Sequence, residues 1–123
     1  MYVFVVDVER QMYYFDDVEL GCDHDWKELI CCEKANITQH KIGSKIYNVI
    51  CDADGFKRDR RIAAVSSDCK HRLMVGNLVV CNTNEMGNCE GLWSREDEDN
   101  MVKASVAVKC NDGNFYHVLK LDE

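Results

Sequence analysis

At 123 residues the chain is long enough for one domain that buries roughly two-thirds of its unfolded surface without covalent staples. Its 15 Lys and Arg stand against 22 Asp and Glu, a formal charge of -7 that favours solubility and opposes bulk binding to nucleic acid or anionic membrane. The start, MYVFVVDVERQMYYF, lacks the features of a secretory leader, so a cytoplasmic chain with its eight cysteines reduced is expected rather than a disulfide framework.

Tyr2 to Val8 and Gln11 to Val18 are apolar, aromatic runs separated by Glu9-Arg10, which predicts a β-hairpin. Asp23 suits a helix N-cap, and Trp26, Leu29 and Ile30 share one face at helical spacing. A helix from Asp23 to about Cys32 with Trp26 in the core is therefore expected. Ala35 to Ile42 and Lys45 to Asp52 predict a second hairpin, turning at Gly43. Its second strand runs into Asp52-Ala53-Asp54-Gly55, where the two carboxylates are expected to bond their own backbone and Gly55 to supply a positive φ.

From Phe56 the character changes. Lys57, Arg58, Arg60 and Arg61 crowd four cations into five positions, and Lys70 and Arg72 follow shortly after. The apolar Ile62 to Val65 between them is expected as loop or short helix. Leu73 to Asn82, LMVGNLVVCN, predicts one buried strand with a bulge or close backbone approach at Gly76. Thr83 to Gly91 is expected as a polar loop. Ser94 and Asp97 form a near capping box that starts a helix from Arg95 to about Ala104. Asn111-Asp112-Gly113-Asn114 then joins two last strands, Ser105 to Cys110 and Phe115 to Leu121. The expected class is α+β: a compact single domain spanning residues 1–123, with a mixed or antiparallel sheet of about seven strands and two main helices.

No catalytic signature accompanies these elements. Zinc knuckles need closely spaced pairs such as C-x-x-C, and the nearest approaches here are Cys22-x-His24 and Cys31-Cys32, so no metal or other cofactor is expected. Cys69-Lys70-His71 is the one cysteine flanked by cations and reads as a loop cysteine. Phosphate loops, dinucleotide fingerprints and nucleophile elbows are absent, so a non-enzymatic protein is expected. Arginine forks take phosphate bidentately. Lys57, Arg58, Arg60, Arg61, Lys70 and Arg72 are therefore candidates for an anion site, although a charged loop can equally pair with the acidic surface.

The order of the Trp26 helix, IYNVICDADG, LMVGNLVVCN and LWSREDEDNM resembles a family of small proteins of phages and mobile elements annotated only as a domain of unknown function. The resemblance implies a phage-type accessory protein of the host cytoplasm, acting against host defences by binding. Two modes are expected to compete. One is sequestration of a small anionic, nucleotide-like ligand, with an aromatic side chain on the base. The other is an acidic inhibitor that docks on a host defence nuclease or DNA-binding protein through Glu96, Asp97, Glu98 and Asp99. Neither mode involves direct nucleic-acid or membrane binding, and the sequence leaves room for a homo-oligomer.

Overall fold

The computed structural model describes residues 1–19, 23–57 and 61–122, with 23–25 described by backbone alone. Among them the chain order is β1 (Tyr2–Asp7), β2 (Met12–Asp17), α1 (Asp23–Ile30), β3 (Ala35–Ile42), β4 (Lys45–Asp52), β5 (Ile62–Val65), β6 (Arg72–Val75), β7 (Leu78–Thr83), β8 (Cys89–Glu90), α2 (Arg95–Ala104), β9 (Ser105–Lys109) and β10 (Phe115–Lys120). The larger sheet runs β2-β1-β7-β4-β3, with β8 also on β7, and every pairing in it is antiparallel. The smaller runs β6-β5-β10-β9 and is mixed, because β5 and β10 are parallel.

Alternation along the strands of the larger sheet sorts its side chains onto two buried faces. Phe4, Val6, Tyr47, Val49, Leu78 and Val80 point towards the smaller sheet, where they meet Met74, Leu119 and Leu121 together with Met101 and Ala104 of α2. Val3, Val5, Ile50, Val79 and Cys81 point the other way and are covered by Trp26 and Ile30 of α1. Each fully buried side chain of this size contributes about 1.5 to 3 kcal/mol through apolar burial. Trp26, 6% exposed, has the core position expected for it.

The α+β class agrees with the expectation, but the described residues form ten strands where about seven were expected. Ile62 to Val65 is β5 rather than loop or helix: all four residues are buried, so the segment shows no alternation. The run from Leu73 to Asn82 is two strands in two different sheets. Between them Gly76 turns at φ 86, and the buried Asn77 carboxamide accepts the Val8 N–H at 2.8 Å. Cys89–Glu90 adds a short strand inside the expected polar loop. The first helix ends at Ile30, two residues early, with Cys31 at φ 56.

Gly55 does not hold a positive φ, contrary to expectation. The reversal is made by Asp52, whose Oδ1 accepts the Asp54 N–H at 2.9 Å and whose carbonyl accepts the Gly55 N–H at 3.2 Å. Glycine is required there for another reason. A Cβ would lie 2.4 Å from the Val75 carbonyl oxygen, so β6 could not approach as closely.

Candidate functional site

The smaller sheet has one face in the main core and a second face that no helix among the described residues covers. On that second face Ile62, Val65 and Val118 are buried beneath Val106, Val108, Cys110 and Tyr116. A cleft of about 720 Å³ opens over this floor, between the loop at 66–71 and the turn at 110–114. Its size lies within the roughly 300 to 1,000 Å³ common for small-ligand sites.

Both walls are fixed by local hydrogen bonds. In the first, the Cys69 N–H bonds to the Ser66 carbonyl at 2.9 Å, the Lys70 N–H to Asp68 Oδ1 at 3.0 Å, and the His71 N–H to Ser66 Oγ at 3.1 Å. Ser66 Oγ donates to Asp68 at 2.5 Å, and this bond, with the Lys70 N–H next, holds the Asp68 carboxyl below its usual range. In the second wall, the Cys110 N–H bonds to the Asn114 carbonyl at 3.0 Å, and Gly113 turns at φ 84. Asp112 accepts the Tyr116 hydroxyl and the Asn114 N–H. These bonds lower the Asp112 pKa, and the same carboxylate raises that of Tyr116.

Arg61, Lys70, Arg72 and Lys109 surround the cleft, with His71 beside them and Asp112 the one carboxylate in its lining. Among the described residues none of these four cations has an ion-pair partner, in a chain whose formal charge is -7. Arg72 is further oriented by the Phe56 ring, whose centroid lies 5.9 Å from its guanidinium carbon. The arrangement offers donors to an anion above an apolar floor, with the Tyr116 ring at its edge.

Of the six cations singled out by sequence, Arg61, Lys70 and Arg72 come together here. Lys57 does not line the cleft; it sits on the Asp52–Gly55 reversal, exposed, with Nζ 3.9 Å from Asp54. Arg58 and Arg60 lie outside the described residues, as do Cys22 and the His24 side chain. Cys69 reaches the cleft from a left-handed backbone position at φ 61. Lys109, Cys110 and Tyr116 were missed. Their hairpin is legible from its turn, but the parallel pairing of β10 with β5, which swings them onto the basic loop, has no local signal.

The acidic candidates divide. Glu96, Glu98 and Asp99 are exposed, whereas Asp97 is 1% exposed and unavailable to a partner. Its carboxylate accepts Lys45 Nζ and the Tyr47 hydroxyl, both at 2.7 Å, and Asn82 Nδ2 at 2.8 Å, and it closes the capping box with Ser94. Burial alone would raise the Asp97 pKa; the bonds from Lys45, Tyr47, Asn82 and Ser94 outweigh it and hold the group down at about 2. The signal for this was available, since Asp97, Met101 and Ala104 recur at i, i+4 and i+7 on one buried face. Trp93, just before the cap, is 76% exposed, and Val102 is 62% exposed.

Among the described residues no group of three or more His, Cys, Asp or Glu is placed to hold a metal ion, and no helix is long and apolar enough to cross a membrane. Fold and cleft together define an α+β protein with a cationic, apolar-floored cleft on the uncovered face of its smaller sheet. Comparison with protein-family models, with curated proteins and with solved structures gives no match.

Proposed function

We propose that the chain is a non-enzymatic binding protein that holds a small, nucleotide-like anion in the cleft of the smaller sheet. The observation that carries this reading is four cations, without ion-pair partners among the described residues, gathered over an apolar floor in an acidic chain. Arg61, Arg72, Lys70 and Lys109 would take the phosphates, and Tyr116 with the floor valines would cover the base. The resemblance to small phage proteins makes this a counter-defence activity in the host cytoplasm, in which a nucleotide signal is sequestered rather than cleaved.

Calorimetric titration with inorganic phosphate, a nucleoside, mononucleotides and cyclic dinucleotides tests the reading. Binding should need both phosphate and base. Arg61→Ala with Arg72→Ala should weaken it tenfold or more, since each charge-assisted bond contributes about 1.5 to 3 kcal/mol. Failure of every nucleotide to bind would overturn it.

A second reading is favoured by the exposed Trp93 beside Glu96, Glu98 and Asp99. An acidic helix start flanked by an exposed aromatic suits docking on a basic protein surface, such as that of a host nuclease or DNA-binding protein. In that case the Arg61 and Arg72 changes leave inhibition intact.

A further inference from the structure

On the α1 side of the larger sheet, three polar side chains meet in a place that the anion cleft does not use. Asn48 of β4 pairs directly with Cys81 of β7, so the two side chains share a face. The next strand, β8, sets Cys89 opposite Thr83, which puts Cys89 diagonally across from Cys81 on that same face. Cys81 is fully buried and Cys89 is partly exposed at the short strand.

The hydrogen bonding distinguishes the two sulfurs. Asn48 Nδ2 donates to the Gly87 carbonyl at 3.1 Å and lies 3.4 Å from Cys89 Sγ. Because a carbonyl can only accept, the amide nitrogen must face Gly87, so its second hydrogen goes to the Cys89 sulfur. The strand register sets Cys81 diagonally beside Cys89, so its thiol is the second neighbour that acts on that sulfur. A hydrogen bond donated to a sulfur favours its thiolate form. Accordingly the Cys81 hydrogen bond, with Asn48 also contributing, pulls the Cys89 pKa below the usual cysteine value, while its partnership with Cys89 and its burial push Cys81 up. The Asn48 Oδ1, buried and without a hydrogen-bond partner among the described residues, is a free acceptor on the same amide.

We propose that Cys89 and Cys81 form a peroxide-reactive dithiol, with Cys89 as the attacking thiolate and Cys81 as the resolving thiol. The Cys89 sulfur attacks one oxygen of a hydroperoxide and the O–O bond breaks, giving Cys89 sulfenic acid and hydroxide, or alkoxide from an organic peroxide. The Cys81 sulfur then attacks the Cys89 sulfur as its proton leaves with the hydroxyl as water. For hydrogen peroxide the balance is two thiols and one peroxide to one disulfide and two waters. Asn48 Oδ1 is the acceptor available to the sulfenic hydroxyl. Closing the bond requires β8 to move towards β7, and β8 is held there by only two residue pairs.

The test uses the whole chain with hydrogen peroxide as the probe. In the untreated protein, alkylation with iodoacetamide at neutral pH followed by peptide mapping should modify Cys89 about tenfold faster than the more exposed Cys31 and Cys69. After peroxide, mapping should find a Cys81–Cys89 disulfide. Cys81→Ser should instead accumulate a Cys89 sulfenic acid that dimedone traps, and Cys89→Ser should give neither product. If Cys89 alkylates no faster than Cys31 and Cys69, or the peroxide-induced disulfide joins other cysteines, the proposal is wrong. The alkylation arm uses unaltered protein, so poor folding of a serine variant cannot obscure the result.

Discussion

The Tyr47 hydroxyl donates to Asp97 Oδ1 at 2.7 Å, linking the interior strand β4 to the first turn of α2 through two residues that are 0% and 1% exposed. Asn100 Nδ2 donates in turn to the same hydroxyl at 2.9 Å. Removing that hydroxyl leaves the half-buried Asn100 amide without this acceptor and takes a hydrogen bond from a buried carboxylate. Tyr47→Phe should therefore cost about 1 to 3 kcal/mol in denaturant unfolding, with little change in the slope of the transition.

The same carboxylate gives the fold an acid dependence. Its pKa, about 2 when folded, lies below the ordinary 3.8, so the unfolded chain binds the proton more readily. The stability it contributes is complete above pH 3.8 and is lost as pH falls through the folded value. It amounts to about 2 kcal/mol. Asp97→Asn should flatten this part of the pH profile while costing about 3 kcal/mol near neutrality, because Lys45 loses its buried partner. Unfolding curves at several pH values measure both effects.

Gly55 and Gly113 should respond differently to alanine. At Gly55 the new Cβ meets backbone, the Val75 carbonyl at 2.4 Å, and β6 must shift; a loss of about 2 to 4 kcal/mol is expected. At Gly113 nothing lies within 4 Å, and the cost is only the left-handed backbone at φ 84, about 1 kcal/mol. Thermal unfolding of the two variants should rank them in that order.

The legible parts of the chain are those whose signals are local. The ends of β3 and β4 fall on the expected residues because Gly43 and Ser44, at φ 61 and 76, make a tight reversal between two alternating runs. The bounds of α2 follow likewise from the Ser94 and Asp97 capping box. What escaped detection depends on the other sheet. Ile62 to Val65 is buried on both sides and so carries no period, and LMVGNLVVCN reads as one apolar run although the chain changes sheet at Gly76 and Asn77. Three of the four cleft cations, Arg61, Lys70 and Arg72, were visible in or shortly after the dense basic stretch. The Tyr116 and Lys109 wall was not, because only tertiary pairing brings residues near 116 beside residues near 64.

Asp112 opposes the anion that the cleft is proposed to hold. It is the one carboxylate in the lining, yet its structural role is to accept hydrogen bonds from Tyr116 and Asn114. An asparagine keeps an acceptor and loses the charge. Asp112→Asn should tighten nucleotide binding about two- to fivefold at low salt, with the gain shrinking as ionic strength rises. Unchanged affinity at every salt concentration would place the phosphates away from this wall.

The two functional readings separate on the helix start. Glu96, Glu98 and Asp99 are exposed and Trp93 projects beside them, so all four can be changed without entering the core, provided Asp97 is left intact. Neutralising Glu96→Gln, Glu98→Gln and Asp99→Asn removes two first-turn charges that complement the helix dipole, Glu96 and Glu98, at a cost of about 0.3 to 1 kcal/mol each. The melting temperature should fall by roughly 2 to 12 °C, at about 3 to 6 °C per kcal/mol for a chain of this size. Trp93→Ala uncovers Gly91, over which the indole lies, and should leave the fold intact. If the cleft is the working site, both variants should bind nucleotide as the unaltered chain does, while Arg61→Ala with Arg72→Ala does not. If the helix is the working surface, the acidic variant and Trp93→Ala should lose a basic protein partner by tenfold or more, because an exposed aromatic at the centre of an interface contributes about 2 kcal/mol or more. Measuring nucleotide affinity, partner affinity and melting temperature on the same three variants assigns the function to one surface.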